Sequence, residues 1–255
     1  SVSCPAEDVC VSFAVSFGGE LLHTVTTSAS DRYCSVTVPL PSEKVTYQVA
    51  LWSVEEPSLY DLTVRVLKGG KETDRVGSYF ALRDYSVMDD KIMLNGRPFY
   101  ARLVLDQGYW RESGLTPPSA EALRKDIELT KAMGFNGARK HQKLEDPYFC
   151  YYAEELGFLT WCEMPSAYRF CAEETAAITK EWQEIVRAGR NCTSNVCYVP
   201  LNESWGAREI ATDERQKAFA RSLYFLTKSL DPTRLISTND GFEVVNPTDI
   251  LGVHD

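Results

Sequence analysis

Apolar and β-branched positions in the first third of the chain recur in short runs with no helical period. The runs cover residues 9–17, 21–27, 33–40, 46–52, 59–67 and 75–82. Gly18-Gly19, residues 28–31, residues 39–42 and Gly69-Gly70 separate them. Short alternating runs bounded by turn-forming residues predict strands, and strands at this spacing predict a small β-sandwich over residues 1–85. Asn95-Gly96, set between residues 91–94 and 98–100, is the strongest short hairpin signal and marks the passage to a second region.

After residue 100 the rhythm changes. Leu123, Ile127 and their neighbours recur at helical spacing behind Ser119, an N-cap residue, with Glu121 in the first turn and Gly134 as the stop. Further helices are predicted over 147–156, 174–188 and 212–230, the first two closed by Gly157 and Gly189. Strands are predicted over 100–105, 135–139, 158–162, 196–201, 235–238 and 250–253. Strands alternating with helices predict parallel βα units. These strands are fewer than a closed (β/α)₈ barrel requires, and fewer residues remain than its usual ~250. The periodicity therefore leaves an open doubly wound sheet and an incomplete barrel as alternatives. No GxGxxG or GxxxxGK[ST] follows a strand, which disfavours a dinucleotide or phosphate site.

Composition narrows the function classes. The chain has 255 residues, 44% hydrophobic and 25% charged, which is ordinary for a globular protein. The net charge of −9 argues against a nucleic-acid partner. No apolar run approaches the ~18–20 residues of a membrane span, so no membrane partner is expected. The start carries no basic segment leading into an apolar one, as a secretory leader would. The eight cysteines form no CxxC pair and fall mostly in apolar runs, which reads as unpaired buried thiols and favours a cytoplasm. Among three histidines there is no HxxxH or HxH. No metal site and no cofactor are expected, with a divalent cation left as an alternative that would draw on His141, Glu163 and His254.

Every predicted strand of the second region ends in polar residues. The ends read Leu105-Asp106-Gln107-Gly108-Tyr109-Trp110, Arg139-Lys140-His141-Gln142-Lys143, Glu163, Asn202-Glu203-Ser204-Trp205, Asn239-Asp240-Gly241 and His254-Asp255. One such end is usually a helix cap or a turn. A whole series of them, with aromatics interleaved, points to one ligand site at the C-terminal ends of parallel strands. Tyr109, Trp110 and Trp205 offer flat apolar faces to sugar rings. The Asp, Asn, Gln, Arg and His side chains suit hydroxyl groups, so the implied chemistry is carboxylate chemistry on a carbohydrate.

In this order and spacing the residues resemble glycoside hydrolase family 2, the β-galactosidase, β-glucuronidase and β-mannosidase family. Leu51-Trp52-Ser53 with Glu56-Pro57-Ser58-Leu59-Tyr60 is similar to a stretch of the family's immunoglobulin-like domain. Met93-Leu94-Asn95-Gly96-Arg97-Pro98 is similar to the hairpin leading into its TIM barrel. Leu105-Asp106-Gln107-Gly108-Tyr109-Trp110, Gly134-Phe135-Asn136-Gly137, Arg139-Lys140-His141-Gln142-Lys143 and Asn202-Glu203-Ser204-Trp205-Gly206 resemble one bacterial branch of the family.

The resemblance implies an immunoglobulin-like sandwich over 1–85 and the N-terminal part of a TIM-barrel catalytic domain over 86–255. It implies a retaining β-glycosidase in which Glu203 is the acid/base and Asn202 meets the sugar 2-hydroxyl. Arg139 would stand beside the nucleophile, with Asp106, His141, Trp205 and Asp240 as further substrate-binding residues. The sequence departs from the family in two places. Asn191-Cys192-Thr193-Ser194 stands where members usually carry Asn-His-Pro-Ser. The family's nucleophile, a Glu near the end of the seventh strand, has no counterpart here, nor has its N-terminal jelly-roll. An interior piece of a larger bacterial enzyme is expected, inactive alone, and either self-associating or complemented by the rest of the barrel. The alternatives are a catalytically degenerate carbohydrate-binding relative and an open α/β sheet serving protein interaction.

Overall fold

The computed structural model describes Val2, residues 6–40 and residues 49–255. The chain divides into two compact units, Ser1–Trp52 with Ser58–Leu82, and Ser53–Pro57 with Arg83–Asp255.

The first unit holds one antiparallel sheet of β1 (Val9–Phe17), β2 (Glu20–Ser28), β3 (Tyr60–Lys68) and β4 (Lys71–Phe80), in the order β2-β1-β3-β4. Its two tight hairpins turn on Gly18-Gly19 and Gly69-Gly70, all four at positive φ. That backbone matches the twist of the flanking strands, and glycine adopts it without steric cost. Val9, Val11 and Val15 are buried from alternate positions of β1. Phe80 stacks on Tyr60 at 5.1 Å, and Tyr60 meets Phe17 at 4.8 Å. The strands expected over 33–40 and 49–52 do not form, and Thr46, Tyr47 and Gln48 lie outside the described residues. A β-branched run suits a pleated strand, but whether it forms one depends on the neighbours that pair with it, and periodicity carries no information about those. Among the described residues this unit therefore has one sheet rather than two facing ones.

The second unit begins with a small antiparallel sheet of β5 (Tyr85–Met88), β6 (Lys91–Leu94) and β7 (Arg97–Pro98). Asn95 and Gly96 sit at φ 53° and 74° between β6 and β7, the hairpin turn that the dipeptide predicts. Strands and helices then alternate: β8 (Leu103–Asp106), α1 (Ala120–Ala132), β9 (Gly137–Lys140), α2 (Pro147–Leu156), β10 (Leu159–Glu163), α3 (Ala172–Gly189), β11 (Asn195–Val199), α4 (Glu214–Leu230) and β12 (Leu235–Ile236). The five strands are parallel and lie in sequence order, β12-β11-β10-β9-β8. The Ser119 side chain accepts the Ala122 N–H at 3.1 Å, and Gly157 ends α2 in the left-handed conformation. The strand expected over 250–253 is absent. The Asp249 and Ile250 amides both bond back to the Ile236 carbonyl, at 2.8 and 3.2 Å, so the segment hooks over β12 instead of extending beside it.

All four helices pack on the same face of this sheet. Val104, Ala138 and Phe158 cluster with Leu123 and Ile127 of α1 and Phe149 and Ala153 of α2. Cys162 and Tyr198 cluster with Ile178, Trp182 and Val186 of α3 and Ala220 and Leu223 of α4. Registers pair Val104 with Ala138 and Cys162 with Tyr198, and Ala138 and Lys140 flank Arg139 across the pleat. Successive residues alternate between faces, so Arg139, Trp161 and Glu163 point away from the helices. At Gly137 a Cβ would fall 2.6 Å from the Leu159 carbonyl oxygen, so the residue before this pair has to be glycine for β9 and β10 to lie this close.

Candidate active site

The helix-free face gathers charge at its C-terminal rim. Arg139, near the end of β9, is the hub. Its Nε–H donates to Glu163 Oε1 and its Nη2–H to Asn202 Oδ1, and its Nη1 forms an ion pair with Asp240 Oδ2 at 2.9 Å. His141, two residues on and hence on the same face, places Nδ1 2.7 Å from the other oxygen of Glu163. Glu163 is fully buried at the end of β10. A carboxylate so removed from water needs a paired cation and hydrogen bonds; Arg139 supplies the charge, and Arg139 and His141 the hydrogen bonds.

Glu203 is brought in by a tight turn beyond β11. Asn202 bridges Asp240, the Glu203 N–H donates to the Asp240 carbonyl at 3.0 Å, and the Ser204 N–H donates to Asn239 Oδ1 at 2.9 Å. Glu203 and Ser204 both adopt positive φ, at 50° and 57°. For non-glycine residues such a conformation costs on the order of 1–3 kcal/mol and persists only where surrounding bonds impose it. Here the turn is imposed from three sides, because the Ser204 hydroxyl also donates to Glu243. The Glu203 side chain is 32% exposed, whereas those of Glu163 and Asp240 are 0% and 4% exposed. Of these three carboxylates, Glu203 is the one a ligand can reach. Leu105, Arg139, His141, Asn202, Glu203, His254 and Asp255 line a cleft of ≈ 330 Å³ around it.

The residues singled out from sequence separate into two groups. Arg139, His141, Asn202, Glu203 and Asp240 come together. Asp106 does not join them. It is in register with Lys140, on the helix face, and pairs with that lysine, which also meets Glu145 Oε2 at 2.8 Å. The parity of β8 is the reason: Leu105, not Asp106, faces the cleft. Burial alone would raise Glu145, but Lys140 outweighs it and holds the carboxyl below the usual range. Trp110 packs on the α1–α2 cluster. Tyr109 is exposed. Trp205 stands outside the cleft lining, with the Arg208 guanidinium 3.4 Å above its ring and Tyr168 edge-on at 5.8 Å.

His254 and Glu163 complete the cluster through their contacts with Glu203, Asp240, Arg139 and His141. Among the described residues no group of three His, Cys, Asp or Glu side chains has the geometry to hold a metal ion. No described helix is long and apolar enough to cross a membrane.

The segment leading into β11 is the second finding that sequence reading missed. Cys192 is bonded to Cys150 of α2 in a disulfide with a Cα separation of 6.0 Å, so these two thiols are not free as expected. A pair 42 residues apart leaves no spacing signature. Around the bridge, Arg83 donates to the Thr193 and Asn195 carbonyls at 3.0 and 2.7 Å, Arg234 donates to the Cys192 carbonyl at 2.8 Å, and the Thr193 N–H donates to Glu154. Burial, with Arg234 alongside, pushes Arg83 down to about 10. Cys162 and Cys197 are free and buried, and burial raises both thiols well above their ordinary range, which makes them inert.

Residues 5–83 match the family described as Glycosyl hydrolases family 2. A β-galactosidase of Enterobacter cloacae is 28% identical over 228 residues, 85% of this chain and 20% of that protein. A β-glucuronidase of Bacteroides fragilis is 30% identical over 119 residues, 45% of this chain and 17% of that protein. The chain thus spans a quarter or less of the curated relatives it matches. Among solved structures, the FMN-binding β-glucuronidase of Facaelibacterium prausnitzii L2-6 superposes with a TM-score of 0.79 at 22% identity, over 91% of this chain and 35% of that one. At that identity the likeness is one of fold.

Proposed function

We propose that the chain, which matches glycosyl hydrolases family 2 over residues 5–83 and is similar to its β-galactosidases and β-glucuronidases, carries the acid/base half of a retaining β-glycosidase site. Glu203 is the acid/base. It protonates the departing glycosidic oxygen and then, as carboxylate, takes a proton from the water that releases the sugar. Asn202, oriented by Arg139, meets the sugar hydroxyl beside the reacting carbon. Arg139, His141 and Asp240 fix the floor of the subsite. A second carboxyl, about 5–5.5 Å across the scissile bond, is the nucleophile of a retaining enzyme. Glu163 and Asp240 are buried and tied to Arg139, and Asp106 pairs with Lys140 on the helix face; Asp255 lines the cleft, but the resemblance to the family puts that carboxyl on a further strand. The substrate is a β-galactoside or related β-glycoside.

The observation that carries this reading is the reachable Glu203 carboxyl in a cleft beneath which Glu163 and Asp240 are held by Arg139. The same reading makes residues 86–255 the first part of a TIM barrel. Strands in sequence order with every helix on one face suit a barrel arc, whereas a doubly wound sheet has helices on both faces. Residues 1–85 are read as its immunoglobulin-like companion. With β8 and β12 as open edges, the 255-residue chain is expected to self-associate, since unpaired edges template further pairing. A clean monomer in light scattering, with cooperative melting, would count against the arc.

The test compares nitrophenyl galactoside, glucuronide and mannoside with a natural disaccharide, in the full-length protein and its Glu203→Gln variant. The variant should lose roughly 10²–10⁴-fold on the disaccharide, the range of general acid catalysis, and far less where the leaving group needs no proton. Equal losses on every substrate would remove Glu203 from the acid role. Sugar binding without hydrolysis in the wild type would favour a degenerate carbohydrate-binding relative.

A further inference from the structure

One contact in the cleft has no part in the reading above. The His254 ring stands between Glu203 and the buried acids. Its Nδ1 lies 2.8 Å from Glu203 Oε1, and its Nε2 lies 3.1 Å from Arg139 Nη1 and 3.2 Å from Asp240 Oδ2. The segment carrying it lies beyond the hook at Asp249–Ile250 and close over the 240–241 turn. A Cβ at Gly241 would fall 2.5 Å from His254 Nδ1.

The two contacts at Nε2 make incompatible demands on it. Arg139 can only donate, so it requires a bare Nε2 lone pair. Ionised Asp240 can only accept, so it requires an Nε2–H. Each demand fixes what Nδ1 shows to Glu203. With Nε2 bare and facing Arg139, Nδ1 carries the proton and donates to Glu203 as a carboxylate. With Nε2–H donated to Asp240, Nδ1 is bare and accepts from Glu203 as a carboxylic acid. The charged groups facing the ring are thus Glu203, Asp240 and Arg139. Glu163 and His141 lie behind Arg139, and Asp255 is next in the chain.

We propose that His254 is a positioning residue for Glu203, holding its carboxyl in the cleft in both protonation states by changing ring tautomer. The role rests on the acid/base reading of Glu203. The protons balance. Glu203 gives its proton to the leaving oxygen. The ring then gives its Nε2 proton to cleft water and takes one at Nδ1 from that water, so neither the ring nor the water changes charge. A side chain 23% exposed has that water at hand. A fixed donor such as lysine would hold only the carboxylate, and a fixed acceptor only the acid. Imidazole, with one nitrogen of each kind in the neutral ring, serves both.

Two isosteric substitutions separate the contacts. The asparagine amide reaches the Nδ1 position and can show Glu203 either its donor or its acceptor. The glutamine amide reaches the Nε2 position and touches only Arg139 and Asp240. In the full-length protein, His254→Gln should lower kcat on a disaccharide by up to roughly 10²-fold, the size of effect of a misplaced catalytic group. It should cost much less on a dinitrophenyl glycoside, with KM little changed. His254→Asn should recover most of the loss. Equal losses for the two variants, or equal losses on both substrates, would overturn the proposal and leave His254 a packing residue.

The second arm needs no turnover. The chain has three histidines, so ¹⁵N-histidine spectra are assigned by single replacements. Glu203→Gln should move the His254 Nδ1 resonance and leave that of His23 in place. An unmoved resonance overturns the contact itself. If Glu203→Gln fails to discriminate leaving groups, the acid/base reading falls, and the role of His254 falls with it. If Glu203→Gln discriminates and His254→Gln does not, His254 alone is wrong.

Discussion

The two larger sheets of this molecule treat polar side chains in opposite ways. In the first unit β4 is exposed over residues 71–78, and among the described residues Ser12 is the one buried polar side chain. In the second unit β11 is buried at every position, and Lys140, Glu154, Glu163, Asn202 and Asp240 are all buried. The antiparallel sheet leaves its charges to water, as with Arg75 and Glu72 at 2.9 Å on the surface. The parallel sheet buries its rim charges, so Arg139, Lys140, Glu163 and Asp240 are paired into networks. The lesson is that the rim is costly to build and rigid once built, which is what a reaction site needs and a surface sheet does not.

The contrast breaks most visibly at the two arginines. Arg139→Ala strands the buried acids Glu163 and Asp240, and removing one partner of a buried pair costs about 3–5 kcal/mol. Arg75→Ala removes an exposed pair and should leave the urea midpoint unchanged within error. Equal shifts in urea unfolding would erase the distinction. Next comes the bridge. Cys192→Ser opens a loop of 42 residues between its ends and should cost about 2–4 kcal/mol in the second unit. Hydrogen exchange should locate the loosening at α2 and residues 190–195 and find β1–β4 unaltered.

Acid sharpens the comparison further. Glu145 is held below its ordinary value, so the unfolded chain binds its proton more readily than the folded one. Its contribution is complete above the unfolded value of about 4.3 and fades as pH falls through the lower folded value. Replacing Lys140 by Met should flatten the stability profile in that window. The smallest effect belongs to β4, where Val76→Thr, on an exposed position, should change stability by less than about 0.5 kcal/mol.

What could be read from the sequence follows the same divide. The parallel unit was legible because its signals are local: the Ser119 cap, the Gly157 stop, the Asn95-Gly96 turn, and polar residues at each strand end. Arg139, Asn202, Glu203 and Asp240 were found together because they share that rim. Asp106 was misplaced because one residue of strand parity decides the face, and the strand's start was set too early. The stretch at 33–40 was misread because periodicity does not say whether a run finds a strand to pair with. His254 carried no motif. It came to Glu203 through a hook in the backbone rather than through the strand expected there.

The cystine between α2 and the Asn-Cys-Thr-Ser segment gives the protein two covalent identities. Made where glutathione keeps thiols reduced, the polypeptide carries two more hydrogens and lacks its only cross-link among the described residues. Made in an oxidising compartment, it leaves folding as a closed loop with Arg83, Arg234 and Glu154 clasped around the seam. Preparations from different hosts would then be different molecules of one sequence. Intact mass before and after thiol alkylation tells which one is in the tube, and should be read before any rate or melting curve is compared.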